Sequence, residues 1–435
     1  MSGLQRIAAM VVALLVVVGA VVVGLAIADG DATAGGPSPS AQPGATASPS
    51  VEPEPSDAEP SPDDEETLAI LREIEEQVIA IRGLPAADIG DPDLITRAEL
   101  ADELVELFDE EYPPEEQEKD NFTLRALGLL EPGQDVLELQ LQLLGDQVLG
   151  YYDDVDKRMV VVTDAGLDAN ARLTYAHEYT HALQDAAFDF EALERDANEE
   201  DDRSLARIAF IEGDATITML AWAFAHLTPQ ELAEIATTPQ PDISGIPSWL
   251  VDQLVFFPYT DGLSWASALS GGDPFAPEFE EIDAVFADPP DSTEQIIDVE
   301  KWLAREAPIE VEFADLAGAL GEGWTEVEDT PVGQAILRMS LEYFGIPGEQ
   351  AVDATAGWGG DRLVIVSGPD EAFAVAWRLA WDTPGDATEF LDAYRTVVDS
   401  LPFPAIVVEL AGGEILVAHA SDDDLLRRTV DAAND

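Results

Sequence analysis

Two of the four histidines in this 435-residue chain stand four residues apart, in His177-Glu178-Tyr179-Thr180-His181. On a helix that spacing projects both imidazoles from one face about a turn apart, so both can bind one metal ion through bonds near 2.0–2.1 Å. Glu178 lies about 100° around the helix from His177, within reach of a water on that metal without being a ligand. A metal that activates water beside a carboxylate that moves its proton is the equipment of hydrolysis. The bland alternative is a surface pair of histidines at helical spacing, and the scarcity of histidine weighs against it. Cysteine is absent, so any metal must be held by imidazole and carboxylate, and thiolate nucleophiles and disulfides are excluded.

A zinc site that keeps one position for water needs a third protein ligand. A third histidine in the metzincin manner is missing, because Gln184 and Ala187 stand at its glycine and histidine positions. Glu191, Glu194, Glu199 and Glu200 fall in a polar stretch that reads as a solvated face. Glu212 differs, lying in the apolar run Arg207-Ile-Ala-Phe-Ile-Glu-Gly-Asp-Ala-Thr-Ile-Thr-Met-Leu220. A lone carboxylate there is costly to bury unless something pairs with it. Zinc would do so; Arg203 or Arg207 is the alternative partner. Gly213 beside it would allow close helix packing. Asp185, one turn past His181, is a candidate to orient that ring, with Asp214 as its rival. Tyr259, in Phe256-Phe-Pro-Tyr-Thr-Asp-Gly262, is a candidate oxyanion donor or else part of an aromatic core turn. His226 would lie about 21 Å from Glu212 along a continuous helix and reads as structural, while His419 falls in a strand pattern without a motif.

Several elements must hold these residues in place. Leu68, Leu71, Ile74, Val78 and Ile81 repeat at helical spacing and open the folded part near Thr67. Helices follow at about 97–111, 115–130 and 136–144. The period then changes: 147–152 and 158–163 read as a β-hairpin around an acidic turn, which lacks the glycine and distal glutamate of a calcium loop. The hairpin precedes the His177 helix, expected over 173–188, and could offer an edge strand to an extended peptide. Farther on, 292 caps a short helix. Strands at 362–367, 372–381, 405–410 and 414–419 alternate with helices at 387–401 and 422–433 in a small α+β unit. Gly357-Trp-Gly-Gly-Asp361 is glycine-rich but lacks a phosphate-binding helix and reads as a turn.

Composition adds limits. A net charge of −69 repels phosphate backbones and anionic lipid surfaces, so nucleic acid is excluded as a partner. Hydrophobic residues make up 46% of the chain, enough for a sizeable core. Ile7–Ala28, preceded by Arg6, is an uncharged run of 22 residues, long enough to span a bilayer core of about 30 Å. Its length favours an uncleaved transmembrane anchor over a signal segment, although Ala26-Ile27-Ala28 resembles a cleavage site. In both cases the positive-inside rule places the remainder outside the cytoplasm, membrane-bound or secreted after cleavage. The organisation expected is an anchor or signal segment at 1–28, a disordered Pro/Ser/Ala/Glu-rich stalk at 29–66, a metal-binding domain at 67–305 and an α+β subdomain at 306–435.

With these residues in place, the chain resembles the gluzincin branch of zinc metallopeptidases. His177-Glu-Tyr-Thr-His-Ala-Leu-Gln-Asp185, Glu212-Gly-Asp-Ala-Thr216, Phe257-Pro-Tyr-Thr-Asp-Gly262 and Pro289-Pro-Asp-Ser-Thr-Glu-Gln295 are similar to segments of bacterial extracytoplasmic proteins of that type. The likeness covers about residues 145–300. It implies a mainly helical, zincin-like domain within an α+β chain, zinc held by His177, His181 and Glu212, and Glu178 as general base. One departure stands out: thermolysin-like enzymes carry an aspartate four residues after the glutamate ligand, where this chain has Thr216.

Two function classes follow: a zinc peptidase acting on extracytoplasmic peptides or proteins, and an anchored binding module with a structural or vestigial zinc site and no turnover. An intact Glu178 favours the first. For the anchor, the intact protein is expected to fractionate with membranes and to be released by protease added outside the cell. Recovery of most of it from the medium, starting near Asp29, would mark signal cleavage instead.

Overall fold

A computed structural model describes residues 62–434 apart from 145–147, 165, 198–199, 239–242 and 314. The Ile7–Ala28 run and most of the stalk lie outside the described residues. Helix α1 (Pro62–Arg82) begins before Thr67, inside the stretch read as stalk. It buries Leu68, Leu71, Ile74 and Val78 and stops at Gly83, whose φ of 78° favours a residue without a Cβ. Strand β1 (Asp93–Ile95) leads into α2 (Arg97–Glu111), started by a Thr96/Glu99 capping box. Next come α3 (Pro114–Leu127), with proline at its first turn, and α4 (Val136–Leu144). The hairpin is present as β2 (Gly150–Asp153) and β3 (Arg158–Val162). Its turn is an ordinary one in which Asp153 accepts from the Val155 and Asp156 amides. β1 joins β3 in parallel, giving the order β1-β3-β2 and leaving β2 at an edge.

Helix α5 (Ala169–Phe188) carries the paired histidines; it starts a turn earlier than its apolar pattern because Asp168 caps it. Short α6 (Phe190–Ala197) precedes α7 (Asp201–His226), which carries Glu212 and is buried almost throughout. Among the described residues α7 alone is long and apolar enough to cross a membrane, yet it is enclosed by its neighbours and serves as the central core helix. α8 (Pro229–Ala236) and α9 (Ser248–Val251) lead into a π-helix (Asp252–Asp261), which runs into α10 (Gly262–Leu269). Three short helices, α11 (Glu280–Val285), α12 (Thr293–Ile297) and α13 (Val299–Leu303), close this half, with Ser292 capping α12 as its sequence suggests.

α7 lies among α5, α1, α10 and the π-helix. The Tyr175 hydroxyl donates to Glu75 and the Trp222 indole to Gln77, tying α1 to α5 and α7. Against α10 the approach is backbone to backbone. A Cβ on Gly213 would lie 2.2 Å from the Gly262 carbonyl oxygen, and one on Gly262 would lie 2.1 Å from that of Ala209. Gly213 therefore does permit close packing, with α10 as the neighbour.

The remainder comprises α14 (Leu316–Leu320), β4 (Thr325–Thr330), α15 (Gly333–Tyr343), α16 (Gly348–Thr355), β5 (Trp358–Ser367), β6 (Phe373–Trp381), α17 (Pro384–Val398), β7 (Ala405–Glu409), β8 (Ile415–Ala420) and α18 (Asp423–Asn434). The strands form an antiparallel sheet in the order β4-β5-β6-β8-β7. Side chains alternate along β5: Leu363 and Ile365 face a core with α15, α16 and α17, and Val364 and Val366 face another with α14 and α18. The glycine-rich segment is not a turn. Trp358–Asp361 begins β5, with a bulge between Trp358 and Gly360. The glycines admit a crossing chain: the Ile309 N–H donates to the Gly359 carbonyl at 2.6 Å, and a Cβ on Gly360 would strike the Ile309 carbonyl. His419 is a fully buried tie, with Nδ1 3.2 Å from the Ala126 carbonyl of α3 and Nε2 3.1 Å from the Tyr394 hydroxyl. Overall the chain is a mainly helical α+β protein with two sheets among the described residues.

The α7–α10 contact makes a direct prediction. Gly213→Ala and Gly262→Ala should each cost about 1–3 kcal/mol through forced backbone separation. Gly385→Ala, where an added Cβ meets only the Thr383 hydroxyl at 3.4 Å, should be neutral or stabilising. Denaturant unfolding of the three variants is the check.

Candidate metal centre

α5 and α7 pack side by side and bring three donors together across their interface. His177 Nε2 lies 3.1 Å from Glu212 Oε2, His181 Nε2 lies 3.6 Å from the same oxygen, and the two nitrogens are 2.8 Å apart. Bonds of about 2.0–2.1 Å at tetrahedral angles place donor atoms about 3.3–3.4 Å from one another. The observed separations fall around that value, so one ion can be shared with shifts of a few tenths of an ångström. Exposure is 0% at His177, 2% at His181 and 1% at Glu212. Neither arginine offered as an alternative partner reaches Glu212: Arg203 pairs with Glu200 and Asp291, and Arg207 donates to the Leu193 carbonyl.

Burial dominates the electrostatics. It pushes His177 down to about 4, helped by neighbouring His181. Burial also disfavours a charge on His181, but the Glu212 carboxylate prevails and leaves that ring above its usual value. Glu212 mirrors this: desolvation would raise it, yet His181 and His177 hold it below the ordinary carboxylate range. The trio is thus an anionic oxygen facing two imidazole nitrogens, a donor set that suits zinc.

Glu178 sits on the neighbouring face of α5, against the hairpin. Its Oε2 accepts the Tyr152 backbone N–H of β2 at 3.0 Å, while Oε1 is buried without a hydrogen-bond partner. Burial pushes this carboxyl up to about 8. A buried carboxyl oxygen without a partner is expensive, and it leaves Oε1 open to a further group.

The support of the ligands differs from expectation. Asp185 does not orient His181; it accepts from the Tyr152 hydroxyl at 2.7 Å, from Lys157 Nζ at 2.5 Å and from the Phe190 amide. Two turns separate Asp185 from Glu178, so both face the hairpin. The partner of His181 Nδ1 is Gln184 Oε1, at 2.8 Å. Gln184 is three residues past His181 and seven past His177, which sets it on the ligand face; that spacing is the signal the sequence offered for it. Asp214 acts one step farther out, accepting from Gln184 Nε2 at 2.7 Å and pairing with Arg82 of α1 at 2.9–3.1 Å. Arg82 also meets Asp283 and lies over the Phe279 ring. Thr216 is buried without a hydrogen-bond partner for its hydroxyl and takes no part. Tyr259 is held in the π-helix, directly after Pro258, with its ring 5.9 Å from that of His177. Short π segments recur at functional sites. His226 is exposed at the far end of α7, stacked on Trp222, and His419 belongs to the distant sheet.

The Arg82–Asp214 pair has no exposed side-chain surface. Arg82→Ala should therefore cost about 3–5 kcal/mol by stranding a buried carboxylate. Arg82→Met together with Asp214→Leu should cost less than that single change, and urea unfolding of both variants decides it.

Among known families, a model described as a domain of unknown function (DUF8575) matches residues 322–427, which lie in the C-terminal sheet and its helices and outside the metal centre. No curated protein and no solved structure matches the chain.

Proposed function

We propose that this chain is a zinc-dependent hydrolase of zincin-like type, acting as a peptidase on peptides or proteins outside the cytoplasm and tethered there through Ile7–Ala28. The observation that carries the reading is the convergence of His177, His181 and Glu212 at one buried point, with Glu178 alongside. A zinc ion bound there supplies a Lewis acid that lowers the pKa of water toward 7 and polarises a carbonyl.

The chain's own residues then have distinct parts. Glu178 is held by the Tyr152 amide at Oε2, and beside a cation that would favour its ionised form Oε1 is left to take a proton from the attacking water and deliver it to the leaving amine. β2 is an edge strand whose Tyr152 N–H faces Glu178, so a peptide lying along that edge would bring its carbonyl to the site. A cavity of about 400 Å³, lined by Tyr152, Lys157, Asp185 and Asp189 among others, adjoins the same strand, and neither Glu178 nor the three ligands line it. The second reading, a binding module whose zinc is structural, draws on the near-complete burial of the three ligands. The unpartnered oxygen of Glu178 favours turnover, since a purely structural ion has no use for it.

The full chain should carry about one zinc ion and lose it in His177→Ala or His181→Ala. Glu178→Gln should keep zinc and fold while hydrolysis of a broad peptide mixture falls about 10²-fold or more. Glu212→Gln should weaken zinc retention and activity together. Equal hydrolysis by Glu178→Gln and wild type would sink the mechanism. A zinc-loaded wild type that cleaves nothing would leave the binding module as the better account.

A further inference from the structure

His181 can offer its Nε2 lone pair to a metal only if its proton sits on Nδ1. Nothing in the imidazole itself ensures this, so the neighbour of Nδ1 decides. That neighbour is Gln184, fully buried, and its amide has two chemically opposite ends. One amide end faces the Asp214 carboxylate at 2.7 Å and the Ile211 carbonyl at 3.1 Å. Both are acceptors, so the group turned toward them must be the NH₂. The oxygen is thereby forced toward His181, and an oxygen there accepts only from Nδ1–H. Arg82 completes the chain by pairing with Asp214, its guanidinium donating to the carboxylate inside the protein. His177 has no counterpart, since its Nδ1 is buried without a hydrogen-bond partner.

We propose that Gln184, its amide locked by Asp214 and the Ile211 carbonyl, is the positioning residue that fixes His181 as an Nε2 ligand. Arg82 at the end of α1 thereby acts on the metal centre through Asp214. The proposal rests on the zinc reading for its purpose but not for its geometry, so the two can fail separately.

The test uses the full chain and two readouts. Nitrogen-15 NMR of labelled histidine in the metal-free protein, at alkaline pH, reports where the proton of His181 sits; with four histidines the signal is assigned by its loss in His181→Asn. Zinc affinity is measured by competition with a chelator. Wild type should show His181 protonated on Nδ1. Gln184→Leu should populate the other tautomer and weaken zinc by about 10–100-fold, the range for losing such support. Exchanging the two groups, Gln184→Glu with Asp214→Asn, again presents an oxygen to Nδ1 and a donor between the two residues. That pair should recover part of the lost affinity, since the Ile211 carbonyl alone loses its donor, and a generic packing defect would recover none. A wild-type His181 protonated on Nε2, or a folded Gln184→Leu that binds zinc as wild type does, overturns the proposal. If Gln184→Leu does not fold, the wild-type spectrum decides. If wild type takes up no zinc, the metal reading fails, while Nδ1–H in the metal-free spectrum still upholds the lock.

Discussion

The structure is built around a problem of charge. α7 carries Glu212 and Asp214 two residues apart in its middle, where most neighbouring residues are apolar and the fold encloses them. Each carboxylate must be matched inside the protein, and each is matched differently: Glu212 by the two imidazoles of α5, Asp214 by the guanidinium of α1 and the amide of Gln184. Meeting both demands fixes how α1, α5 and α7 lie against one another. The helices cannot slide without stranding a charge, so registry is specified by polar groups where apolar side chains alone would tolerate several arrangements.

Around that triad the remaining neighbours supply proximity. Gly213 lets α10 come close enough to touch backbone, and the π-helix running into α10 brings Tyr259 beside His177. On the opposite side, the hairpin presses β2 onto α5 so that a main-chain amide, which only a proline substitution would delete, holds Glu178. A carboxylate in contact with strand backbone is set by the fold, whereas one held by another side chain would depend on a second rotamer.

Much of this was legible in the sequence because the signals are local. α1 to α5, the hairpin and the later strands follow from periodicity, prolines and capping residues, and His177, Glu178, His181 and Glu212 from their types and spacing. What escaped depends on distant partners. β1 is a three-residue strand that exists because it pairs with Val160–Val162, far along the chain. β4 reads Thr-Glu-Val-Glu-Asp-Thr, an acidic edge strand whose outward charges hide its alternation. The glycines before Arg362 read as a turn because nothing local reveals the chain that crosses them. The role of Gln184 is illegible for a different reason: an amide supports a ligand histidine only if something else decides which way it faces, and that something, Asp214, lies on another helix.

The sheet's inner packing bears on modularity. The core between β5, β6, β8 and their helices includes Ala126, with Phe122 packed against it, both from α3 of the first half, and His419 is anchored to the Ala126 carbonyl. On the other face, Leu316, Leu320 and Ala433 belong to the layer but lie outside the matched segment, residues 322–427. A piece excised at those limits would carry an open apolar wall on each side and an imidazole facing water. In this chain the matched segment is therefore no transplantable cassette, because α3 and the flanking helices complete its two cores.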